Sequence, residues 1–290
     1  MKVLYWSSGS PRHAIDEALR ALGGWSRESP PEGPAKAGLI YRVGRDRDQN
    51  EVFAAGFGGS AARICLRASR GILEAFPAVR DIRMVACGSG RHPGGLDAPP
   101  RGCSGAGRPL NVFYHCYGSA HSSVVAAAIH LGHLPSSRIP AVSEVCALPW
   151  FDRVRHEEIG APYFIGENPP GVGVFILGLG PSRSSARVFV REFIELCGLS
   201  PRILTVDCLP LAGAAVRIGG FMSRRMGAVT VGRFIAAAGI RRRYWEFVSL
   251  ACQAQLQVAT CMRGRTKNDD SYAGVLQDPP SRGRINGKRL

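Results

Sequence analysis

One pattern constrains this chain more than any other: it repeats itself. Lys2-Val3-Leu4-Tyr5-Trp6-Ser7-Ser8-Gly9-Ser10 aligns with Asn111-Val112-Phe113-Tyr114-His115-Cys116-Tyr117-Gly118-Ser119, and an Ala-rich stretch ending in Leu-Gly follows each, at Leu22-Gly23 and Leu131-Gly132. Tyr41, Gly44, Val52, Phe53, Gly56 and Gly58 then fall on Tyr163, Gly166, Val174, Phe175, Gly178 and Gly180 at one constant offset. Arg63 and Arg67 fall on Arg187 and Arg191, and Val85 and Cys87 on Val206 and Cys208. A match kept in order through four segments predicts two tandem copies of one folding unit.

The second copy reads most clearly. β-branched and aromatic runs predict strands over 112–116, 162–166, 173–177 and 203–208, and apolar spacing of three and four predicts helices over 123–131 and 185–196. The turn Asn168-Pro169-Pro170-Gly171 makes the second and third strands a hairpin; the others, joined through helices, are expected to run parallel. The fold class is therefore α/β, with mostly parallel sheets flanked by helices. The expected division is a divergent α/β copy over 1–90, a Gly/Pro-rich linker over 91–109, a second copy over 110–263 and a disordered tail over 264–290. Two additions distinguish the second copy: a lid-like insertion at Pro135–Glu158 and a C-terminal helical extension from Ala212 to about Met262. Ser29-Pro30-Pro31-Glu32-Gly33-Pro34 reads as a surface loop within the first copy.

Composition narrows the partners. The longest apolar stretches, Val124–Ile129 and Val172–Leu179, are far shorter than the roughly 20 residues that cross a bilayer, and Met1–Trp6 turns polar at Ser7. Neither a membrane partner nor a signal peptide is expected. Nine scattered cysteines without paired close spacing fit reduced thiols in a cytoplasm. A formal charge of +15 favours anionic partners in general, although an Arg-rich composition produces the same excess without function. No nucleic-acid motif accompanies Arg224-Arg225, Arg233 or Arg241-Arg242-Arg243, so nucleic acid is not the expected partner.

The sharpest local signal is Tyr114-His115-Cys116-Tyr117-Gly118-Ser119-Ala120-His121-Ser122-Ser123. An apolar strand feeds a polar turn, Gly118 permits close backbone approach, and Ser122 or Ser123 is expected to cap the next helix. Helix-terminal N–H groups pointing into such a turn make an anion cradle. Cys116, at the strand end, is the candidate nucleophile and His121 the candidate proton carrier, with His115, Gly118, Ser119, Ser122 and Ser123 as candidate ligand contacts. The bland alternative is a small buried cysteine beside an ordinary helix cap. In the first copy Ser7 replaces Cys116 and Arg12-His13 replace His121-Ser122, which puts the chemistry in the second copy.

A second turn, Gly178-Leu179-Gly180-Pro181-Ser182-Arg183-Ser184-Ser185, is expected to open on the same sheet edge, adding Gly180, Arg183 and Ser184 as contacts. It lacks the third glycine of a dinucleotide fingerprint, and no Gly-Lys-Ser/Thr phosphate loop occurs. No cofactor is predicted. His115, His121, His130 and His133 with Cys116 invite a metal reading, but His130 lies about 12 Å from His121 along a helix, too far for one ion. His130 and His133 are expected instead to meet the helix C-terminus as charges.

The run His121-Ser122-Ser123-Val124-Val125-Ala126-Ala127-Ala128-Ile129-His130-Leu131-Gly132, with Ala147-Leu148-Pro149-Trp150-Phe151-Asp152 and Ile218-Gly219-Gly220-Phe221-Met222-Ser223-Arg224-Arg225, resembles the bacterial domain-of-unknown-function family 3189 over about 110–251. That resemblance implies no activity. A looser likeness is to the low-molecular-weight tyrosine phosphatases, whose loop runs Cys, five residues, Arg, Ser. Cys116, Gly118 and Ser123 fit that frame, but Ser122 stands at the arginine position and the Asp-Pro acid is missing from the folded part. An arginine from the C-terminal extension, Arg224 or Arg225, is the available substitute.

The resulting expectation is binding of a phosphorylated or otherwise anionic small molecule at 116–123, with the first copy covering part of the site. The alternatives are a Cys116-dependent enzyme and a scaffold that binds a protein partner. Oligomeric state stays open.

Overall fold

The computed structural model describes residues 1–22, 34–58, 61–87, 110–169 and 171–265. The expected linker, nearly all of the loop at 29–34 and the tail from 266 onward lie outside these residues.

Two similar units emerge, each built on its own four-stranded sheet. The first comprises β1 (Lys2–Ser7), α1 (Pro11–Leu22), β2 (Ile40–Arg45), β3 (Glu51–Gly56), α2 (Ala61–Ala75) and β4 (Ile82–Cys87). The second comprises β5 (Asn111–Cys116), α3 (Ser122–His130), α4 (Val142–Ala147), β6 (Pro162–Asn168), β7 (Val172–Gly178), α5 (Arg183–Leu196) and β8 (Ile203–Asp207), followed by α6 (Ala214–Arg225), α7 (Val229–Arg242) and α8 (Tyr244–Arg265). Strand order is β2-β3-β1-β4 in one sheet and β6-β7-β5-β8 in the other. In each, the hairpin pair is antiparallel and the remaining pairs are parallel. Even the hairpin irregularity recurs, between Arg42 and Gly44 and between Phe164 and Gly166.

Burial explains the sequence pattern. Every residue of β5 and β7 is buried, which is why both read as continuous apolar runs instead of alternating ones. All nine residues of α3 are buried as well, between the sheet and α8, so the helix carries no polar face. The insertion after α3 is fastened down by Val145, Leu148, Phe151 and Val154, which join the same core.

The units meet through equivalent parts. α2 packs on α5, α2 also touches β6, and α5 touches β2. Phe57 and Phe189 form the aromatic centre of this seam, edge to face with centroids 4.8 Å apart. Two residues before each hairpin stands a glycine with positive φ, Gly38 (φ 90°) and Gly160 (φ 105°). A Cβ on Gly38 would lie 2.3 Å from the Ser185 carbonyl oxygen of α5, and one on Gly160 would lie 2.7 Å from the Ile64 carbonyl oxygen of α2. Each unit therefore presses a bare backbone turn against the other's helix, the reciprocity of a two-fold interface.

His130 departs from its expected role as a charge at a helix end. It is 3 % exposed, with Nδ1 2.7 Å from Tyr114 Oη and Nε2 3.1 Å from Asn168 Nδ2. Burial pushes its imidazole down to about 4, so the ring is neutral in the fold. An unfolded chain, with an ordinary histidine pKa of about 6.5, binds the extra proton instead. Stability is therefore expected to fall as pH drops from about 6.5 towards 4, by up to about 1.4 kcal/mol per pH unit from this group, and to be indifferent to it above that window. Urea unfolding at a series of pH values checks this: His130→Gln should lose that part of the slope, and identical slopes would count against it.

Candidate functional site

The C-terminal ends of the parallel strands point to one edge of the second sheet, where both strand-to-helix turns open. Backbone bonds tie the turns together, from Leu179 N to Cys116 O (2.9 Å) and from Gly180 N to Tyr117 O (2.8 Å). Gly178 allows the approach, since a Cβ there would lie 3.1 Å from Ser119 Oγ and 3.2 Å from the Gly118 backbone. Ser119 itself is held at φ 53°, a left-handed conformation that a non-glycine residue adopts only under constraint.

The helix cap differs from the sequence expectation. His121, not Ser122 or Ser123, is the N-cap residue of α3, and no side chain caps the helix. Ser123 instead places its hydroxyl 3.1 Å from Cys116 Sγ. Ser122 borders the cavity above. The helix end is thus left without a side-chain cap of its own, with its positive dipole directed at the turn.

Asp152, from the insertion, organises the far wall. Its backbone N–H donates to Ala120 O at 2.8 Å, at φ 57°, and its carboxylate has no exposed surface. His121 Nε2 stands 3.1 Å from Oδ1 without the alignment of a hydrogen bond, and Arg224 Nε lies 3.6 Å from the same oxygen. The Ser223 hydroxyl donates to Oδ2. Burial alone would push this carboxyl up, but the contacts with His121 and Ser223 and the charges of His121 and Arg224 outweigh it and hold Asp152 below the usual carboxylate range. Arg224 reaches onward to the Gly118 carbonyl at 3.4 Å, and its Nη1 fills the place a Gly118 Cβ would take, 2.6 Å away. Gly220 lets α6 close on the His121 ring, where a Cβ would come within 3.0 Å of Cε1.

These elements enclose a cavity of about 570 Å³. Of the residues singled out from sequence, Cys116, Gly118, His121, Ser122, Gly180, Arg183, Arg224 and Arg225 line it. His115 and Ser184 border a smaller adjoining cavity of about 220 Å³, which also touches Cys116 and Arg183. His115 Nδ1 is 3.6 Å from Asp207 Oδ1 there. Ser119 and Ser123 line neither cavity. Sequence reasoning missed His156, Arg217 and Phe221 on the larger wall and Asp152 behind it. Arg217, Gly220 or Phe221, and Arg224 fall three or four apart, a helical stripe that was legible; nothing marked His156.

Four arginines, at 183, 217, 224 and 225, line the larger cavity, and among the described residues no Asp or Glu does. Among the described residues every one that lines the cavity lies between 116 and 225, so no described residue of the first unit covers the site. It buttresses the second turn from behind: a Cβ on Gly180 would meet Ile64 Cδ1 at 2.4 Å. Arg233 and Arg243 are committed elsewhere, to the Cys146 carbonyl (2.6 Å) and to Pro210 O (2.9 Å) with Glu246. Among the described residues no group of three or more His, Cys, Asp or Glu side chains is placed to hold a metal ion, and no helix is long and apolar enough to cross a membrane.

Removing the buried carboxylate that faces Arg224 and His121 leaves the Arg224 guanidinium uncompensated. Asp152→Ala is therefore expected to lower stability by on the order of 3 kcal/mol, read as a reduced urea midpoint. An unchanged midpoint would show that the pairing does not hold the site together.

Residues 111–255 match the family described as "Protein of unknown function (DUF3189)". Nothing matched among the curated proteins or among the solved structures. The match takes in all of the second unit's strands, both turns and most of α8, half of the whole sequence. On that match the chain belongs to the DUF3189 family.

Proposed function

We propose that the second unit binds an anionic small molecule, a phosphorylated one foremost, in the cavity at 116–123. One observation carries this reading: a cavity wall with four arginines and, among the described residues, no carboxylate faces a helix N-terminus that no side chain caps. Its volume suits a small metabolite or nucleotide, within the roughly 300–1,000 Å³ of typical ligand sites. Arginine's planar fork matches phosphate and carboxylate oxygens, so the anion would lie between the Gly118 turn and α6.

Isothermal titration of the full chain with inorganic phosphate, nucleotides and sugar phosphates tests it. At least one should bind, more weakly as salt rises, and the double variant Arg217→Ala/Arg225→Ala should lose at least about tenfold in affinity, or 1.4 kcal/mol. No binding by any of them to a chain with its fold intact would overturn the reading.

A second reading, a Cys116-dependent enzyme, is favoured by the thiol lying at hydrogen-bonding distance from Ser123 Oγ beside the cavity. Arg224 supports it too, since its guanidinium stands over Gly118, on the loop whose own arginine position holds Ser122. In this reading Cys116 attacks electrophilic phosphorus or carbon, His121 manages the proton, and the turn amides with Arg224 hold the developing charge. Iodoacetamide should then alkylate Cys116 at neutral pH faster than a model thiol; an equal or slower rate ends this reading.

A further inference from the structure

The strand register sets a second cysteine beside the first. β5 and β8 run parallel with His115 opposite Asp207 as their last pair, and Cys116 and Cys208 are the residues that follow it on the two strands. The backbone bond from Cys208 N to His115 O (2.8 Å) holds Cys208 against the end of β5, where its φ of −93° and ψ of −6° turn the chain out of the strand. Neighbouring strands lie about 4.8 Å apart. A disulfide spans Cα separations of roughly 4.4–6.8 Å. Both side chains belong to the same buried cluster on one face of the sheet, together with Tyr114 and Val206. The corresponding pair in the first unit is Ser7 opposite Cys87, so only the second unit has two thiols at this place.

The two are unequally accessible. Cys116 borders both cavities, whereas Cys208 has no exposed surface and touches neither. Burial first, then the charges of Cys116 and Asp207, holds the Cys208 thiol well above the ordinary range, so it stays protonated and unreactive towards reagents in solution.

We propose that Cys116 and Cys208 form a redox-active dithiol that a peroxide closes into a disulfide at the floor of the cavity. In the first step the Cys116 thiolate attacks one peroxide oxygen, the O–O bond breaks, and Cys116 becomes a sulfenic acid while hydroxide leaves. In the second, Cys208 sulfur attacks the sulfenic sulfur, the S–OH bond breaks, and the Cys208 proton departs with that hydroxyl as water. The two thiols together lose two electrons and the peroxide is reduced. Closure takes Cys116 sulfur off Ser123 and removes the free thiol from the cavity. This inference stands apart from the anion-binding reading, because it needs only the thiol pair.

The test treats the reduced full chain with one equivalent of hydrogen peroxide, unfolds it in N-ethylmaleimide and maps the peptides by mass spectrometry. A cross-linked pair containing Cys116 and Cys208, lighter by two hydrogens and dissolved by reductant, is the expected product, with Cys87 still a labelled thiol. In Cys208→Ala and Cys208→Ser, Cys116 should stop at sulfenic acid after one equivalent, trapped by dimedone, and reach sulfinic acid only when a second equivalent of peroxide is added. Recovery of Cys116 as a free thiol or as sulfinic acid in the native sequence, with Cys208 labelled, overturns the proposal. So does the same product from native and variant chains.

Discussion

The buried carboxylate of Asp152 is the interaction on which the second unit's architecture depends. It belongs to an inserted segment, yet it receives His121 from the first turn and Ser223 and Arg224 from α6, so two stretches distant in sequence converge on its two oxygens. A carboxylate with no exposed surface is stable only when paired, and the pairing fixes where α6 must lie. Once α6 is there, Arg224 stands over Gly118, Gly220 meets the His121 ring, and Arg217 and Phe221 face the same space. The cavity is thus a by-product of neutralising one charge.

The doubled fold separates two requirements that compete in a single unit. The first unit has a serine where the second has Cys116, and none of its described residues lines the cavity. Its contribution is steric: Ile64 backs Gly180, and α2 takes the exposed side of α5. Packing against a rigid neighbour lets the second turn keep a positive-φ glycine close to the cavity without losing its position.

Much of this was legible in the sequence because the repeat and the strand runs are local signals. The strands of the second unit, the antiparallel hairpin and the parallel remainder all agree with the spacing of apolar residues and the Pro-Pro-Gly turn. The site was half legible. Cys116, Gly118 and His121 sit in one continuous segment and are recognisable there, whereas Asp152 and His156 enter through tertiary placement that no local period encodes. The cap assignment failed for a related reason: Ser123 has the right chemistry for an N-cap, but a nearby thiol captures its hydroxyl. His130 was misassigned because a helix end usually faces water, and here α8 buries it, with Gln255 donating to the His130 carbonyl at 2.9 Å.

The reciprocal seating of Gly38 and Gly160 carries a consequence for any shorter relative of this chain. Phe189 on α5 meets Phe57 of the first unit, and the half that covers it here is built to the same plan. A polypeptide with the second half alone would leave that side of α5 facing water. Carrying both units on one polypeptide makes that cover independent of concentration.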